Sequence, residues 1–181
     1  MNITRREFLQ STGALVVSFS LPWEALGQAP AVDPKYEQLD AWLAVGSDGR
    51  VTAYCGKVEL GTGLQTAFGQ LVADELDVPF GRVNVIMGDT ELCPDQGPTV
   101  GSLSMYRGGP QVRQAAAEAR HTLLVMAAAR MGTSVERLSV KAGVVTAVDG
   151  KSATYAELIG NKKFSQAWHA RSTPKPPTST V

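Results

Sequence analysis

Glu59-Leu60-Gly61-Thr62-Gly63-Leu64-Gln65-Thr66 is a glycine turn that opens a helix. Beyond it, Leu64, Phe68, Leu71, Val72 and Leu76 recur at helical spacing, and Pro79 closes the run. Upstream, residues 39–45 and 51–55 read as strands around the turn Ser47-Asp48-Gly49-Arg50, which predicts a hairpin. Residues 83–87 read as another strand. Residues 89–109, rich in Gly, Pro, Ser and Asp, read as a loop long enough to be functional or disordered. Pro110 then suits the first position of a long helix. Its face of Val112, Ala116, Ala119, Leu123, Leu124, Ala127 and Ala128 is shaped for close packing on a sheet, and Gly132 is its stop. Residues 138–141 and 144–148 make a second hairpin about Ala142-Gly143, and Thr154 can cap a short helix over 155–159. The order β-β-α-β-loop-α-β-β-α has no regular β-α-β period. It predicts an α+β fold, a mixed sheet with helices packed on one face.

The long loop contains a second informative stretch, Pro98-Thr99-Val100-Gly101-Ser102-Leu103-Ser104. It carries three hydroxyls and no carboxylate, and it runs towards a helix start. Helix starts offer free N–H groups, and hydroxyls add donors, so the pair of loops suits a bulky anionic ligand. An extended loop would put Ser102 and Ser104 on one side. Each loop also has an ordinary reading. Gly61 and Gly63 can simply make a tight turn, and polar residues are at home in a surface loop. Two nucleotide motifs fail: a dinucleotide fingerprint needs glycine where Thr66 stands, and there is no Gly-Lys-Ser/Thr. Glu59 can hold the turn or act as an acid/base, but it has no partner carboxylate. Ser102 and Ser104 have no triad-like base, and His121 belongs to the long helix. The sequence supplies no catalytic residue and no metal ligand set.

Composition limits the function classes. The chain has 181 residues, 44% of them hydrophobic, enough for one packed domain with appendages. Seventeen basic residues balance seventeen acidic ones, which removes the electrostatic case for nucleic acid as a partner. Cys55 and Cys93 form no Cys-x-x-Cys, so no zinc or iron–sulfur site of the chain's own is signalled. Residues 1–31 begin with Thr4-Arg5-Arg6-Glu7-Phe8-Leu9 and continue into a short apolar run and small residues. That pattern is expected of a twin-arginine export signal and a periplasmic destination, and the run is short for a membrane span. Residues 32–38 read as a linker, 39–160 as the domain body, and 161–181 as a Pro-rich linker ending in Pro174-Lys175-Pro176-Pro177.

Taken together, residues 39–160 resemble the N-terminal part of the molybdopterin-binding large subunit of molybdenum hydroxylases. The nearest branch is the isoquinoline 1-oxidoreductase β-subunit type, related to xanthine dehydrogenase and aldehyde oxidoreductases. The likeness rests on Gly56-Lys57-Val58-Glu59-Leu60-Gly61-Thr62-Gly63, Gln70-Leu71-Val72-Ala73-Asp74-Glu75-Leu76, Gly88-Asp89-Thr90 and Asp95-Gln96-Gly97-Pro98-Thr99-Val100-Gly101-Ser102-Leu103-Ser104. Gly108-Gly109-Pro110 and Gln114-Ala115-Ala116-Ala117-Glu118-Ala119-Arg120 follow in the same order.

The resemblance implies a molybdenum–molybdopterin cofactor, in the cytosine dinucleotide form. It implies that Gly61, Thr62 and Gly63 lie on the molybdenum–pterin side, with Thr62 where the family usually has glutamine. It implies that Thr99, Gly101, Ser102 and Ser104 hold the phosphate side. The family's active-site glutamate has no match here, so the chain is expected to be an incomplete part of a larger molybdopterin-binding domain and inactive alone, the product of a truncated or split gene. Its implied partners are the remainder of the large subunit or a complementing polypeptide, and a small [2Fe-2S] subunit. The complete enzyme would hydroxylate an N-heterocycle or aldehyde with oxygen from water. The rival reading is an exported, non-enzymatic anion-binding or interaction domain.

Overall fold

The computed structural model describes residues 14–18, 41–160, 164–167 and 172–176. Its first strand is β1 (Ala14–Ser18). The expected hairpin is present as β2 (Ala41–Gly46) and β3 (Val51–Cys55), paired antiparallel with Val45 opposite Val51. Gly49, at φ +75°, makes its turn. Helix α1 (Leu64–Leu76) follows, ending at Asp77, whose left-handed backbone lets its N–H reach back to the carbonyls of Ala73 and Asp74. The chain then returns as β4 (Val83–Met87), parallel to β3. Helix α2 (Gly109–Met131) carries Pro110 in its first turn and stops at Gly132, φ +68°.

The remaining elements are β5 (Leu138–Lys141), β6 (Val144–Ala147), β7 (Ser152–Thr154), α3 (Tyr155–Ile159) and β8 (Phe164–Ala167). Ala142 and Gly143, at φ +52° and +77°, form the primed turn that a two-residue hairpin requires. Thr154 caps α3 in a reciprocal box: its hydroxyl accepts from the Glu157 N–H, while the Glu157 carboxylate accepts from the Thr154 N–H.

The mixed-sheet, α+β expectation holds, with differences in detail. Among the described residues there are two sheets: a five-stranded one in the order β4-β3-β2-β1-β8, and a three-stranded one, β5-β6-β7. Strands β1 and β8 were not expected as strands. β1 lies within the apolar run read as an export signal, and it pairs antiparallel with β2 and parallel with β8. β7 is too short at three residues to show a period. The loop expected to reach residue 109 ends earlier, because Ser104–Gly108 wind into a π turn continuous with α2. His169 lies outside the described residues.

The main core fills the space between the large sheet and helices α1 and α2. Phe68, Val72 and Leu76 of α1 meet Leu43, Val45, Val51 and Ala53 of the sheet and Val112, Ala116, Ala119 and Leu123 of α2. All are fully buried, and each large one contributes about 1.5–3 kcal/mol. Tyr155 locks the second sheet to this core: its buried hydroxyl donates to the Leu76 carbonyl at 3.0 Å. On the opposite face of the large sheet, Ala44 and Tyr54 pack with Ile86, Leu92 and Cys93.

Part of the Pro-rich stretch read as a linker is held against the helices. Glu75, fully buried on α1, accepts from Arg113 Nε at 3.1 Å and from the Lys175 N–H at 3.0 and 3.1 Å, and pairs with Arg120 at 3.3 Å. Lys175 Nζ donates to the Asp74 carbonyl and pairs with Asp77, both at 2.6 Å, where the negative end of a helix favours a cation. Gln114 and Arg113 complete the clamp by donating to the carbonyls of Ser172 and Lys175.

Candidate functional site

Inward alternation does not stop at the end of β3. Val51, Ala53 and Cys55 are buried, and Lys57 continues the series with 2% exposure. Its ammonium donates to three successive carbonyls of the facing loop: Gln96 at 2.6 Å, Gly97 at 3.1 Å and Pro98 at 3.0 Å. Gln96 locks the other side of the junction. Its side-chain oxygen accepts from Cys55 Sγ at 2.9 Å and from the Gly56 N–H at 2.8 Å, while its amide nitrogen donates to Gln111 Oε1 at 2.9 Å. Gly56 is required here, because a Cβ would sit 1.9 Å from the Pro94 carbonyl oxygen. Thr99 completes the junction: its hydroxyl accepts from the Val58 N–H at 2.9 Å. The glycine turn and the hydroxyl loop are therefore joined through one polar seam.

The glycine turn satisfies itself. Glu59 Oε1 accepts from the N–H groups of Thr62 at 2.5 Å and Gly63 at 3.1 Å, and Oε2 accepts from Gln65 at 3.0 Å. Of the two roles open to Glu59 in the sequence, the geometry assigns holding the turn. The carboxylate caps α1 from four residues before its N-cap glycine, which has no capping side chain of its own. These N–H groups, that of Gln65 foremost, hold the Glu59 carboxyl below its ordinary range. The sign follows: this stabilisation is present above the unfolded carboxyl pKa and is lost as pH falls through the lower, folded one. Glu59→Gln should melt below the wild type at neutral pH, with the gap narrowing below about pH 4; parallel melting curves at all pH values would refute it.

Gly61 and Gly63 adopt φ +83° and +77°, and a Cβ at either would meet no atom of the described residues within 4 Å. Both are exposed, as is Thr62, whose hydroxyl lies 3.4 Å from Glu59 Oε1. In the second loop the extended geometry fails. Gly101 and Ser102 both take left-handed backbone, φ +57° and +60°, so the chain turns there instead of alternating. Ser102 is exposed, whereas Ser104 is buried at the first position of the π turn. The structure thus brings Thr99 to the glycine-turn strand, leaves Gly101 and Ser102 on the open face, and turns Ser104 into the protein.

Sequence reasoning passed over Lys57, Gln96 and Gln111. Only Lys57 had a readable signal, its place in the period-two series 51, 53, 55, 57. Arg107, exposed in the π turn, adds a second cation near Lys57. Leu60, Val100 and Tyr106 stand exposed around these loops, at 66%, 55% and 78%. His121 is exposed on α2 away from the seam. Among the described residues no group of three or more His, Cys, Asp or Glu could hold a metal ion. No helix among them is long and apolar enough to cross a membrane.

Neither Cys55 nor Cys93 is in a disulfide. Burial pushes the Cys55 thiol up to about 11. Cys55 should therefore resist iodoacetamide at about pH 8 in the folded chain and react once urea unfolds it, which peptide mass mapping can follow. Alkylation of Cys55 at the same rate folded and unfolded would show that the seam is open.

Comparison with known proteins gives a consistent picture. The family model of the molybdopterin cofactor-binding domain matches residues 6–177. A nicotinate dehydrogenase subunit from Pseudomonas putida is 38% identical over 161 residues, covering 88% of this chain and 14% of that protein. The β-subunit of isoquinoline 1-oxidoreductase from Brevundimonas diminuta is 30% identical over 186 residues, covering 93% and 23%. Among solved structures, CO dehydrogenase from Oligotropha carboxidovorans superposes with a TM-score of 0.56 at 25% identity, over 62% of this chain and 14% of that one. Quinoline 2-oxidoreductase from Pseudomonas putida 86 does so at 0.58 and 24%, over 64% and 15%. The chain spans about one seventh to one quarter of the length of these relatives. With the glycine turn, the hydroxyl loop and the seam between them in place, this chain belongs to the molybdopterin cofactor-binding domain family of the molybdenum hydroxylases.

Proposed function

We propose that this chain supplies one wall of the molybdenum–molybdopterin site in a hydroxylase acting on an N-heterocycle or an aldehyde. The observation that carries it is the Thr99–Val58 hydrogen bond, which makes one surface of two loops far apart in sequence. The residues present fit such a group. Among the described residues the space over Gly61, Gly63 and Gly97 is open, which lets ligand atoms approach the backbone. The hydroxyls of Thr99 and Ser102 are donors suited to phosphate oxygens, and Arg107 follows them in the π turn. Since Glu59 takes the N–H groups of Thr62 and Gly63, the glycine turn contributes close approach and the Thr62 hydroxyl rather than an anion nest. Gly101 shapes the loop, and Ser104, being buried, supports it from behind.

Bound there, the cofactor supplies two-electron oxidation of the substrate carbon. The chain's own residues bind and orient it and exclude water from its phosphate side. The cofactor is proposed to be the cytosine dinucleotide form, with [2Fe-2S] centres on a partner subunit and the remainder of the large subunit as the other partner. Residues 1–31 are proposed to direct twin-arginine export to the periplasm, since the arginine pair, apolar run and small residues coincide.

The test is expression in the native host with its neighbouring subunits. Molybdenum and released cytosine nucleotide are then measured in the purified complex, for the wild type and for a Thr99→Val, Ser102→Ala double variant. Roughly tenfold lower molybdenum occupancy in the variant is expected from the loss of two phosphate donors. Equal occupancy would overturn this assignment of the loop.

A further inference from the structure

Lys57 is the one buried ammonium among the described residues, and its surroundings are unusual. A charge taken out of water is normally paired with an opposite one. Among the described residues Lys57 makes no ion pair; its three hydrogen bonds all go to backbone carbonyls. Asp95 acts on it only from longer range, and Arg107 adds a like charge. Three consecutive carbonyls facing one point fix the peptide planes from Gln96 to Thr99. Those planes deliver the Thr99 hydroxyl to Val58 and pass the chain into the left-handed pair Gly101-Ser102. Loops rarely turn successive carbonyls inward without a cation, because each would otherwise be a buried acceptor lacking a donor.

We propose that Lys57 is the positioning residue of the hydroxyl loop: its ammonium draws the carbonyls of Gln96, Gly97 and Pro98 inward and thereby sets Thr99, Gly101 and Ser102 as an anion-receiving face, with its own unneutralised charge beneath them. The anion-receiving part rests on the cofactor reading above, while the clamp itself does not. Surface lysines draw anions loosely and are screened by salt. A cation beneath the loop is screened far less.

The experiment uses the full chain labelled with 15N and 13C, with inorganic pyrophosphate as the probe. A protected Lys57 ammonium signal with through-hydrogen-bond couplings to the carbonyls of 96, 97 and 98 is expected. Pyrophosphate should shift the amides of Thr99, Gly101 and Ser102. Lys57→Met, of similar length and apolar, should displace all three carbonyl resonances and weaken pyrophosphate binding roughly tenfold, as expected for charged hydrogen bonds. Lys151→Met, which removes an exposed charge elsewhere, should change neither. A folded Lys57→Met chain with an unchanged loop and unchanged binding would overturn the proposal. So would absence of the three couplings in the wild type, a readout that stands even if the variant fails to fold. Couplings present, with no pyrophosphate shifts in the wild type, would support the clamp and overturn the cofactor reading of the loop instead.

Discussion

Replacing Glu75 with alanine should destabilise the fold by about 3–5 kcal/mol, the range found when one member of a buried ionic cluster is removed. The carboxylate is fully buried and satisfies Arg113, Arg120 and the Lys175 N–H together. Its loss leaves two guanidinium groups and a backbone donor short of an acceptor. Asp74 gives only partial relief, since it already pairs with Arg113 at 3.5 Å. Among the described residues Arg120 Nε has no hydrogen-bond partner even in the wild type, so this guanidinium has little in reserve. Urea denaturation followed by circular dichroism measures the effect. A second readout is hydrogen exchange: the Lys175 amide proton should exchange with solvent far sooner in the variant, because it loses its acceptor. A shift under about 1 kcal/mol with unchanged exchange would show that the clamp is incidental.

Gly56→Ala should cost about 3 kcal/mol, at the upper end for overpacking. The new methyl would meet Pro94 O at 1.9 Å, Gln96 N at 3.0 Å and Pro94 C at 3.1 Å. All three are backbone atoms, so no side chain can rotate away. Either the loop lifts from β3 or the strand end bends. In both cases Gln96 parts from Cys55 and Gly56, and Lys57 loses its carbonyls. The diagnostic is coupled: Cys55 should gain alkylation by iodoacetamide as stability falls. Stability lost with Cys55 still protected would locate the strain elsewhere than at the seam.

The parts of the fold that were legible share one property: a local signal that tertiary packing did not override. Helix α1 had five periodic apolar positions and a proline beyond its end, and its bounds were read to the residue. The primed turn at Ala142-Gly143 and the cap at Thr154 follow from local backbone and side-chain chemistry. The parts missed depend on distant partners. β1 has the composition of a leader, and only its neighbours β2 and β8 make it a strand. The π turn at Ser104–Gly108 has no side-chain signature. At the site, the two loops were legible as a pair, but the hydrogen bonds that unite them were not. Lys57, Gln96 and Gln111 reach across 15 to 41 positions; the period-two series announces that Lys57 turns inward, but no local pattern announces the partners of any of the three. Glu59 shows the reverse case. Its neighbours in sequence are its partners in space, so a holding role could be read before any coordinates.

The Glu75 clamp has a kinetic meaning as well. Glu75 is made early, but the Lys175 N–H that completes its shell is one hundred residues further on. During synthesis at about 5–20 residues per second, α1 must wait roughly five to twenty seconds before that partner exists. Arg113 and Arg120 are made sooner, so through the later part of that interval the carboxylate has its ion pairs but not its full shell. Non-local closure of this kind slows folding. These late-made residues thus complete the burial of Glu75 long after the glycine turn at the head of α1, held by Glu59 alone, has all its partners.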